Sequence, residues 1–510
     1  MKKNKISKKI DSFWGISSKG SSIKIEIFAG IATFLAMAYI LTVNPNSIIE
    51  GGIEDIRWAS VFISTAIGAV IGTLLMAFLA KSPLAQASGM GLNSMVGGIL
   101  GGSFGFAFSF GNAMLLVFIS GIAFLILSVI PCGRDKITGK KISLREKIFD
   151  VMPNAIKKSI TVGIGLFIAF IGFQNASLVQ THPGTMLQFV DLSSSNAWLA
   201  PNGLPGVGAA REAMVALFGL IIISILSHYK VKGAVIIGIL SSTILSIPLG
   251  VSNIDVLLGK TEGISWNIFE NFGNYFSFDS SKGGIFFSAF TEGFSFPEGS
   301  LMTCVMLVIT FAMLDMFDTM GTVVGCATNA GLIDEAGKPI NYDKIMMSDS
   351  IATCAGSVLG TSTVTTFVES GAGVAEGGKT GLTAFTTAIL FAVSIFLLPI
   401  FAFIPSSAAA SALIYVGVLM MSNVKEVDFK NPLNAVPSFL TIIIMILGYS
   451  ITKGIGVGLI SYVLIYSIKY LIDLIRFAFK KCEKPKWEIS IIILFVCALF
   501  LIYFLVPTKF

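Results

Sequence analysis

Residues 361-TSTVTTFVESGAGVAEGGKTGLTAF-385 break up one of the apolar runs of this chain and place a carboxylate, Glu369, inside it. Glycine, serine and the β-branched residues threonine and valine disfavour an uninterrupted membrane-spanning helix at this point. Non-helical backbone at membrane depth is tolerated only where protein buries it or where it lines a cavity. An ionisable side chain at that depth is costly unless it is paired, and it usually marks a functional site. A broken span that carries a polar site is typical of secondary transporters.

The composition places the chain among membrane proteins. Of its 510 residues, 54% are hydrophobic and 13% are charged, whereas a soluble domain has about 25% charged residues. The net charge of +6 comes from basic clusters that fit cytoplasmic anchors of membrane spans, so no nucleic-acid partner is expected. The six cysteines and two histidines have no paired spacing, so we expect neither a metal site nor a cofactor.

Apolar runs of about 20 residues, the length that crosses a bilayer, predict fourteen spans. With the N-terminus in the cytoplasm, alternation places the basic loops 131–147, 228–232 and 476–486 on the cytoplasmic side. This agreement with the positive-inside rule favours a multi-pass protein of the plasma membrane. A further run at 489–506 is a candidate fifteenth span. The fourteen runs begin near Phe28, Trp58, Leu84, Ala113, Ile160, Ala213, Ala234, Leu301, Met346, Thr361, Thr383, Ala408, Ala435 and Ile455.

The runs divide into two halves of seven, and an odd number of spans per half predicts an inverted repeat. In each half the third run is broken, at 88-SGMGLNSMVGG-98 and at 361-TSTVTTFVESGAG-373. Corresponding broken segments point to a binding site. We expect a cytoplasmic N-terminus at 1–26, a first repeat at 27–250, an extracellular loop at 251–298, a second repeat at 299–476, and a basic linker with the extra hydrophobic run at 477–510.

Two aspartates lie three residues apart in the eighth run, 311-FAMLDMFDTMGTVVG-325. That spacing puts Asp315 and Asp318 on one face of a helix. Because two neighbouring carboxylates in a low-dielectric site resist joint ionisation, one of them is expected to carry a proton. With Glu369 they make three acidic groups at membrane depth, and we expect no Lys or Arg at similar depth. Such a set suits a proton-coupled carrier of a solute that donates hydrogen bonds. The alternative is a static polar network between helices through Thr319, Thr322, Thr365 and Thr366.

Three further residues near the broken runs are candidates for contacts with a ligand. Asn93 offers both a donor and an acceptor, although a hydrogen bond between helices explains it equally well. Gly91 lets a ligand or another backbone approach closely. Phe367, two residues before Glu369, has a ring that can stack on a flat solute, whereas packing is the commoner role of an aromatic side chain.

At these positions the sequence resembles the nucleobase–cation symporters, also called nucleobase–ascorbate transporters, and within them the branch of adenine, guanine and hypoxanthine permeases. The uracil and xanthine branches carry a different motif in the tenth span, which favours the purine branch. The resemblance implies an all-α polytopic membrane protein with 7+7 inverted repeats, a core and a gate domain, and short strands in spans 3 and 10. The matching stretches are 30-GIATFLAMAYILTVNP-45, 89-GMGLN-93, 315-DMFDTMGT-322, 361-TSTVTTFVESGAGVAEGGKTGL-382 and 434-NAVPSFLTIIIMILGYSI-451.

The resemblance also implies roles for individual residues. Two departures from the family pattern affect the expected pocket: 94-SM-95 replaces the usual Ala-Tyr, and Glu376 stands where some relatives have a small residue. Substrate contacts are expected from Glu369, Asp318, Asn93, Gly91, Phe367 and Ser370. Proton coupling is expected from Asp318 and Thr322 by the resemblance, and from Asp315 by its spacing from Asp318.

We therefore expect import of a purine base coupled to protons, with Na⁺ left open as the coupling ion. The alternatives are a uracil- or xanthine-type permease, an anion carrier of the same fold, a cation channel and a membrane enzyme. An acidic site disfavours an anion carrier, and two broken spans in one chain disfavour a channel built around a symmetric pore. No constellation of His, Cys or metal ligands supports an enzyme. The expected partners are the base and membrane lipid, and relatives suggest a homodimer.

Overall fold

The computed structural model describes residues 5–49, 52–103, 105–134, 141–182, 184–193, 198, 208–231, 233–261, 263–279, 282–333, 339–479, 486–487 and 489–505. Helices account for most of these residues, and the strands form three two-stranded sheets. The sequence-based prediction of a mostly helical membrane protein with a few short strands is therefore confirmed.

The helices follow the predicted apolar runs along the chain. In the first half they are α1 (Lys5–Trp14), α2 (Ile23–Met37), α3 (Ile40–Ile48), α4 (Arg57–Leu75), α5 (Met90–Leu100), α6 (Phe110–Val129), α7 (Leu144–Val151), α8 (Asn154–Asn175), α9 (Ala209–His228) and α10 (Ala234–Ser246). Next come α11 (Ile268–Tyr275), α12 (Ser288–Thr291), α13 (Leu301–Ala330), α14 (Tyr342–Leu359), α15 (Ser370–Ala375), α16 (Gly381–Ser394), α17 (Leu398–Ala402), α18 (Ser406–Met421), α19 (Pro432–Leu447), α20 (Ile451–Ala478) and α21 (Ile491–Leu505). The strands are β1 (Gln86–Ser88), β2 (Pro131–Arg134), β3 (Lys141–Ser143), β4 (Val179–His182), β5 (Met186–Phe189) and β6 (Val364–Thr366).

Within the described residues, nine helical stretches are long and apolar enough to cross a membrane. Four further apolar helices are shorter: α5, α10, α19 and one in the extra run near the C-terminus. Each of the fourteen predicted runs coincides with one of these stretches, with α14, or with the unit of β6 and α15. The number of spans, and the placement of the C-terminal run in the membrane, stay predictions.

Strands β1 and β6 interrupt the third and tenth apolar runs and pair with each other. The pairing is antiparallel, with Gln86 opposite Thr366 and Ser88 opposite Val364. Three β-branched residues in succession favour extended backbone in β6, and both strands are wholly buried. Each strand supplies hydrogen-bond partners for the backbone of the other strand, and lipid offers no such partners. The predicted strands in the two broken runs are therefore confirmed.

Packing sorts the helices into two groups, and the paired strands β1 and β6, here called the crossing strands, pack on the first of them. One group contains α2 to α6 and α13 to α17, in which α14 packs on α6 and α4, and α16 packs on α2 and α4. The other contains α8 to α10 and α18 to α21, in which α8 packs on α18 and α19. This division matches the core and gate arrangement that the resemblance implies. The residue boundaries of the two repeats stay predictions.

Glycines allow the closest approach between helices, as at the contact of α8 with α18. A Cβ added to Gly417 would lie 2.6 Å from the carbonyl oxygen of Gly165, which is too close for any side chain. Small residues let backbones pack tightly where lipid offers no hydrophobic driving force between helices. Close backbone packing therefore joins α8 to α18 in the second group.

Candidate substrate-binding site

Glu369 lies directly after β6, at the residue that precedes α15. Its side chain is 9% exposed, and its Oε1 accepts a hydrogen bond of 2.6 Å from the hydroxyl of Tyr39. Tyr39 lies between α2 and α3 and is itself buried. A bond from a neutral donor to an ionised oxygen is stronger than one between neutral groups. Tyr39 therefore holds the carboxylate in a defined orientation.

Tyr39 was not singled out from the sequence, although it belongs to the quoted stretch 30–45. A tyrosine in an apolar helix is usually a packing residue or sits at the membrane interface. Only its position opposite Glu369, 330 residues away along the chain, distinguishes it. The signal available in the sequence was its place in a stretch made mostly of small and aliphatic side chains.

Asp318 lies on α13, on the other side of β6 from the backbone ladder. Its Oδ2 is 3.5 Å from the hydroxyl of Thr365, and the carboxylate is within electrostatic reach of Glu369 and of a third acid, Asp349. The structure therefore brings together the two acids that the sequence predicted as substrate ligands. Asp318 lies beside the strand of the tenth broken run, and Glu369 lies at the start of the helix in the same run.

Asp349 on α14 is a buried acid that sequence reasoning missed. Its Oδ1 accepts hydrogen bonds from the Thr319 hydroxyl at 2.7 Å and from the Gln86 side chain at 3.2 Å. Its Oδ2 accepts one from the guanidinium of Arg145 at 3.0 Å. Both charged side chains are fully buried. The expectation that no Lys or Arg accompanies the acids is therefore wrong, because Arg145 reaches them from a loop assigned to the cytoplasmic surface.

Two predicted ligands point into the strand crossing. The Oδ1 of Asn93 accepts hydrogen bonds from the hydroxyls of Ser88, at 3.0 Å, and of Ser362. The Ser370 hydroxyl accepts one from the backbone N–H of Ala85 at 3.0 Å. These described bonds join the third broken run to the tenth. A direct contact of Asn93 or Ser370 with a substrate stays a prediction.

The other predicted site residues lie around the same crossing. Phe367 is buried, and its backbone N–H donates to the carbonyl of Ala85 at 3.1 Å. Gly91 faces the second group of helices, because a Cβ there would come within 2.8 Å of Ile451 at the start of α20. Thr322, one turn after Asp318 on α13, is partly buried. The predicted site residues thus lie around the crossing strands, and Gly91 is the one shown here beside the second group of helices.

The chain is similar in sequence to known permeases. The sequence profile of the Xan_ur_permease family, described as a permease family, matches residues 24–457. The chain is 35% identical to the guanine/hypoxanthine permease PbuO of Bacillus subtilis over 450 residues, covering 88% of this chain and 92% of that one. It is 30% identical to the adenine permease AdeP of Escherichia coli over 453 residues, covering 89% of each.

Among solved structures, the transmembrane domain of the cyanobacterial bicarbonate transporter BicA is similar with a TM-score of 0.56. The sequences are 16% identical, and the match covers 84% of this chain and 97% of that one. The likeness shows the fold, which is that of transporters with two inverted repeats of seven spans. Permeases move solutes rather than transform them, which excludes the enzyme alternative. By the match of the family profile and of its relatives, the chain belongs to the Xan_ur_permease family of permeases.

Proposed function

We propose that the protein imports purine bases across the plasma membrane together with protons. The relatives named as guanine/hypoxanthine and adenine permeases support the choice of purines. The observation that carries the proposal is the buried carboxylate of Glu369, held by Tyr39 and accompanied by Asp318. An acidic site of this kind favours a solute that donates hydrogen bonds and disfavours an anion.

Glu369 is the group proposed to grip the base. A carboxylate accepts two parallel hydrogen bonds from adjacent N–H groups, such as those on one edge of guanine. The Tyr39 hydroxyl occupies one position on Oε1, and the remaining lone pairs of the two oxygens can accept the base. The ring of Phe367 is proposed to pack against the face of the base.

Asp318 is the group proposed to take up the proton. Two carboxylates within electrostatic reach destabilise each other when both are ionised. A proton on Asp318 therefore allows Glu369 to stay ionised and to bind the base. Coupling follows because the base binds best to the state in which the proton is already present.

Alternating access is proposed to come from movement between the two groups of helices. The crossing strands belong to the first group, and Gly91 beside them touches α20 of the second group. A shift of one group against the other would open the site to either side without breaking the strand pair. The cytoplasmic N-terminus and a dimer formed through the second group complete the proposal.

The test is uptake of labelled hypoxanthine into cells that lack their own purine permeases, at two external pH values. Saturable uptake that rises in acid, collapses with a protonophore and is blocked by adenine or guanine but not by uracil is the expected result. Block by uracil would instead support the uracil or xanthine branch. No uptake by protein present at the cell surface would overturn the choice of substrate.

Glu369→Ala tests the site within the same assay. We expect loss of uptake with a normal amount of protein in the membrane, because the variant lacks the acceptor for the base. Glu426→Ala is the matched control, since Glu426 is exposed and pairs with Lys158 at 3.2 Å far from the strands. Wild-type uptake by Glu369→Ala would contradict the assignment of the site.

A further inference from the structure

Helices α13 and α14 are joined by two reciprocal contacts between an aspartate and a threonine. Asp315 and Thr319 are four residues apart on α13, and Asp349 and Thr353 are four residues apart on α14. The Thr319 hydroxyl donates to Asp349 at 2.7 Å, and the Thr353 hydroxyl donates to Asp315 at 3.2 Å. Each acid is thus held by the opposite helix. The two acids lie close enough to interact electrostatically.

Arg145 provides the positive charge for this pair of acids. It lies on α7, and its guanidinium donates to Asp349 at 3.0 Å and to the carbonyl oxygen of Met346 at 3.2 Å. The guanidinium also lies over the ring of Phe124 on α6, 3.3 Å from the ring centre. Arg145 interacts electrostatically with Asp315 as well. One buried cation therefore interacts electrostatically with two buried carboxylates.

The charges of this cluster do not balance unless it holds a proton. Two ionised carboxylates beside one guanidinium would leave a net negative charge away from water, which is strongly unfavourable. Within the described residues, Oδ1 of Asp315 has no hydrogen-bond partner, whereas both oxygens of Asp349 have partners. A buried ionised oxygen without a partner is costly. Asp315 is therefore the better place for the proton.

We propose that Asp315, Asp349 and Arg145 form a second proton site, distinct from the Asp318–Glu369 pair that binds the base. Arg145 neutralises Asp349, and Asp315 binds and releases the proton. The proposal rests on the proposed function, because it concerns the coupling step of the same transport cycle. When Asp315 gives up its proton toward the cytoplasm, it competes with Asp349 for the guanidinium.

The position of Arg145 connects the proton to movement. Helix α7 lies in the segment between α6, which belongs to the first group of helices, and α8, which belongs to the second. Arg145 on α7 reaches into the first group, where it contacts Asp349. Asp349 in turn accepts a hydrogen bond from Gln86 of the crossing strand β1. A change of charge at Asp315 therefore acts on the connection between the groups and on the strand beside the base.

Among the described residues, Asp318, Tyr342 and Cys354 interact electrostatically with members of the cluster. Glu146 follows Arg145 on α7, and Glu369 lies within electrostatic reach of Asp318. Helix α6 contributes no titratable side chain, and α4 contributes only Arg57, at its first residue. The test therefore separates the cluster from Asp318 and Glu369 by measuring exchange of the base separately from accumulation.

The experiment compares the double variant Arg145→Gln/Asp349→Asn with wild type in proteoliposomes loaded with hypoxanthine. Counterflow of labelled hypoxanthine needs no net proton movement, whereas accumulation against a gradient driven by external acid does. The double variant removes both charges of the pair together, so that neither is left buried without its counter-charge. We expect counterflow to persist and the accumulation ratio to fall below the wild-type value, because only the proton on Asp318 then remains coupled to transport. The matched control is Lys158→Gln/Glu426→Gln, an exposed ion pair whose loss leaves both measurements unchanged.

Two outcomes would overturn the proposal: a double variant that accumulates hypoxanthine like wild type, or one that reaches the membrane and loses counterflow as well. In the first case Arg145 and Asp349 only neutralise each other, and in the second case they are needed for binding of the base or for movement of the helices. If the double variant fails to fold, Asp315→Asn decides, because it leaves the pair of Arg145 with Asp349 intact. Retained counterflow with reduced accumulation supports the proposal, and accumulation equal to that of wild type rejects it. Wild-type protein without counterflow would reject the proposed function itself.

Discussion

Replacement of Glu369 by glutamine gives the sharpest view of how the proposed site recognises its ligand. Glutamine retains the shape of the side chain and one acceptor oxygen, but it exchanges the second oxygen for an N–H₂ group. The Tyr39 hydroxyl, 2.6 Å from Oε1 in the wild type, continues to find an acceptor. The amide nitrogen then faces the N–H groups of the base, where two donors meet without an acceptor.

The magnitude follows from the single bond that is lost. A hydrogen bond to a charged group contributes about 1.5–3 kcal/mol, more than a bond between neutral groups. Since every 1.4 kcal/mol is tenfold in affinity, KM should rise by roughly 10- to 150-fold. The rise should be larger for guanine, which presents two adjacent donors, than for hypoxanthine, which presents fewer.

The assay is the concentration dependence of initial uptake, with the amount of protein at the surface measured in the same cells. Glu426→Gln is the matched control, because Glu426 is exposed and pairs only with the exposed Lys158 among the salt bridges of the described residues. An unchanged KM for Glu369→Gln, with normal surface protein, would falsify the idea that this carboxylate binds the base. A fall in maximal rate alone would give Glu369 a role in movement instead.

Two further predictions concern the surroundings of this carboxylate. Tyr39→Phe removes the hydroxyl that donates to Glu369, so the carboxylate loses its fixed orientation. KM should then rise by about tenfold, as for loss of one hydrogen bond to a charged group. Uptake kinetics measure this rise, and an unchanged KM would mean that the base orients the carboxylate unaided. Gly373→Ala places a Cβ 2.6 Å from the carbonyl oxygen of Ala29 and should destabilise the protein by about 1–3 kcal/mol. Thermal unfolding in detergent measures this effect, with Gly371→Ala as the control because its Cβ would meet no described atom closer than 3.9 Å. Equal stability of the two alanine variants would contradict the packing argument.

The broken spans were predictable because their signals are local, whereas the strands within them were expected from the resemblance to the family. Glycine and successive β-branched residues disfavour a helix, and 364–366 carries three such residues in a row. The pairing of β6 with β1 follows once both broken runs are known, since each leaves backbone groups that need a partner. Local composition therefore located the two breaks before any contact was known, and the resemblance implied the strands within them.

The cluster around Arg145 could not be found by the same reasoning. Arg145 lies in a basic loop, and a basic loop beside a span is usually an anchor at the cytoplasmic surface. Its partner Asp349 is 204 residues away along the chain, and no local signal joins them. The one available signal was the repeated spacing of an aspartate and a threonine in 315-DMFDT-319 and 349-DSIAT-353.

The roles of Asn93 and Ser370 show a different limit. Their side chains were correctly expected near the broken runs, because the chain itself places them there. Whether an amide or a hydroxyl faces a ligand or the neighbouring strand depends on the register of that strand. Here the register places Ser88 and Ser362 around Asn93, and no pattern in the sequence specifies this.

The crossing strands also set the order in which the protein can mature. The first strand leaves the ribosome long before its partner, since Gln86 and Thr366 are 280 residues apart. At about 5–20 residues per second, the ribosome takes roughly 15 to 55 seconds to make that stretch. Throughout this interval the backbone of the first strand has no partner at membrane depth. The insertion machinery or the surrounding lipid must therefore tolerate a half-built protein, and binding of any substrate is possible only after the tenth run has entered the membrane.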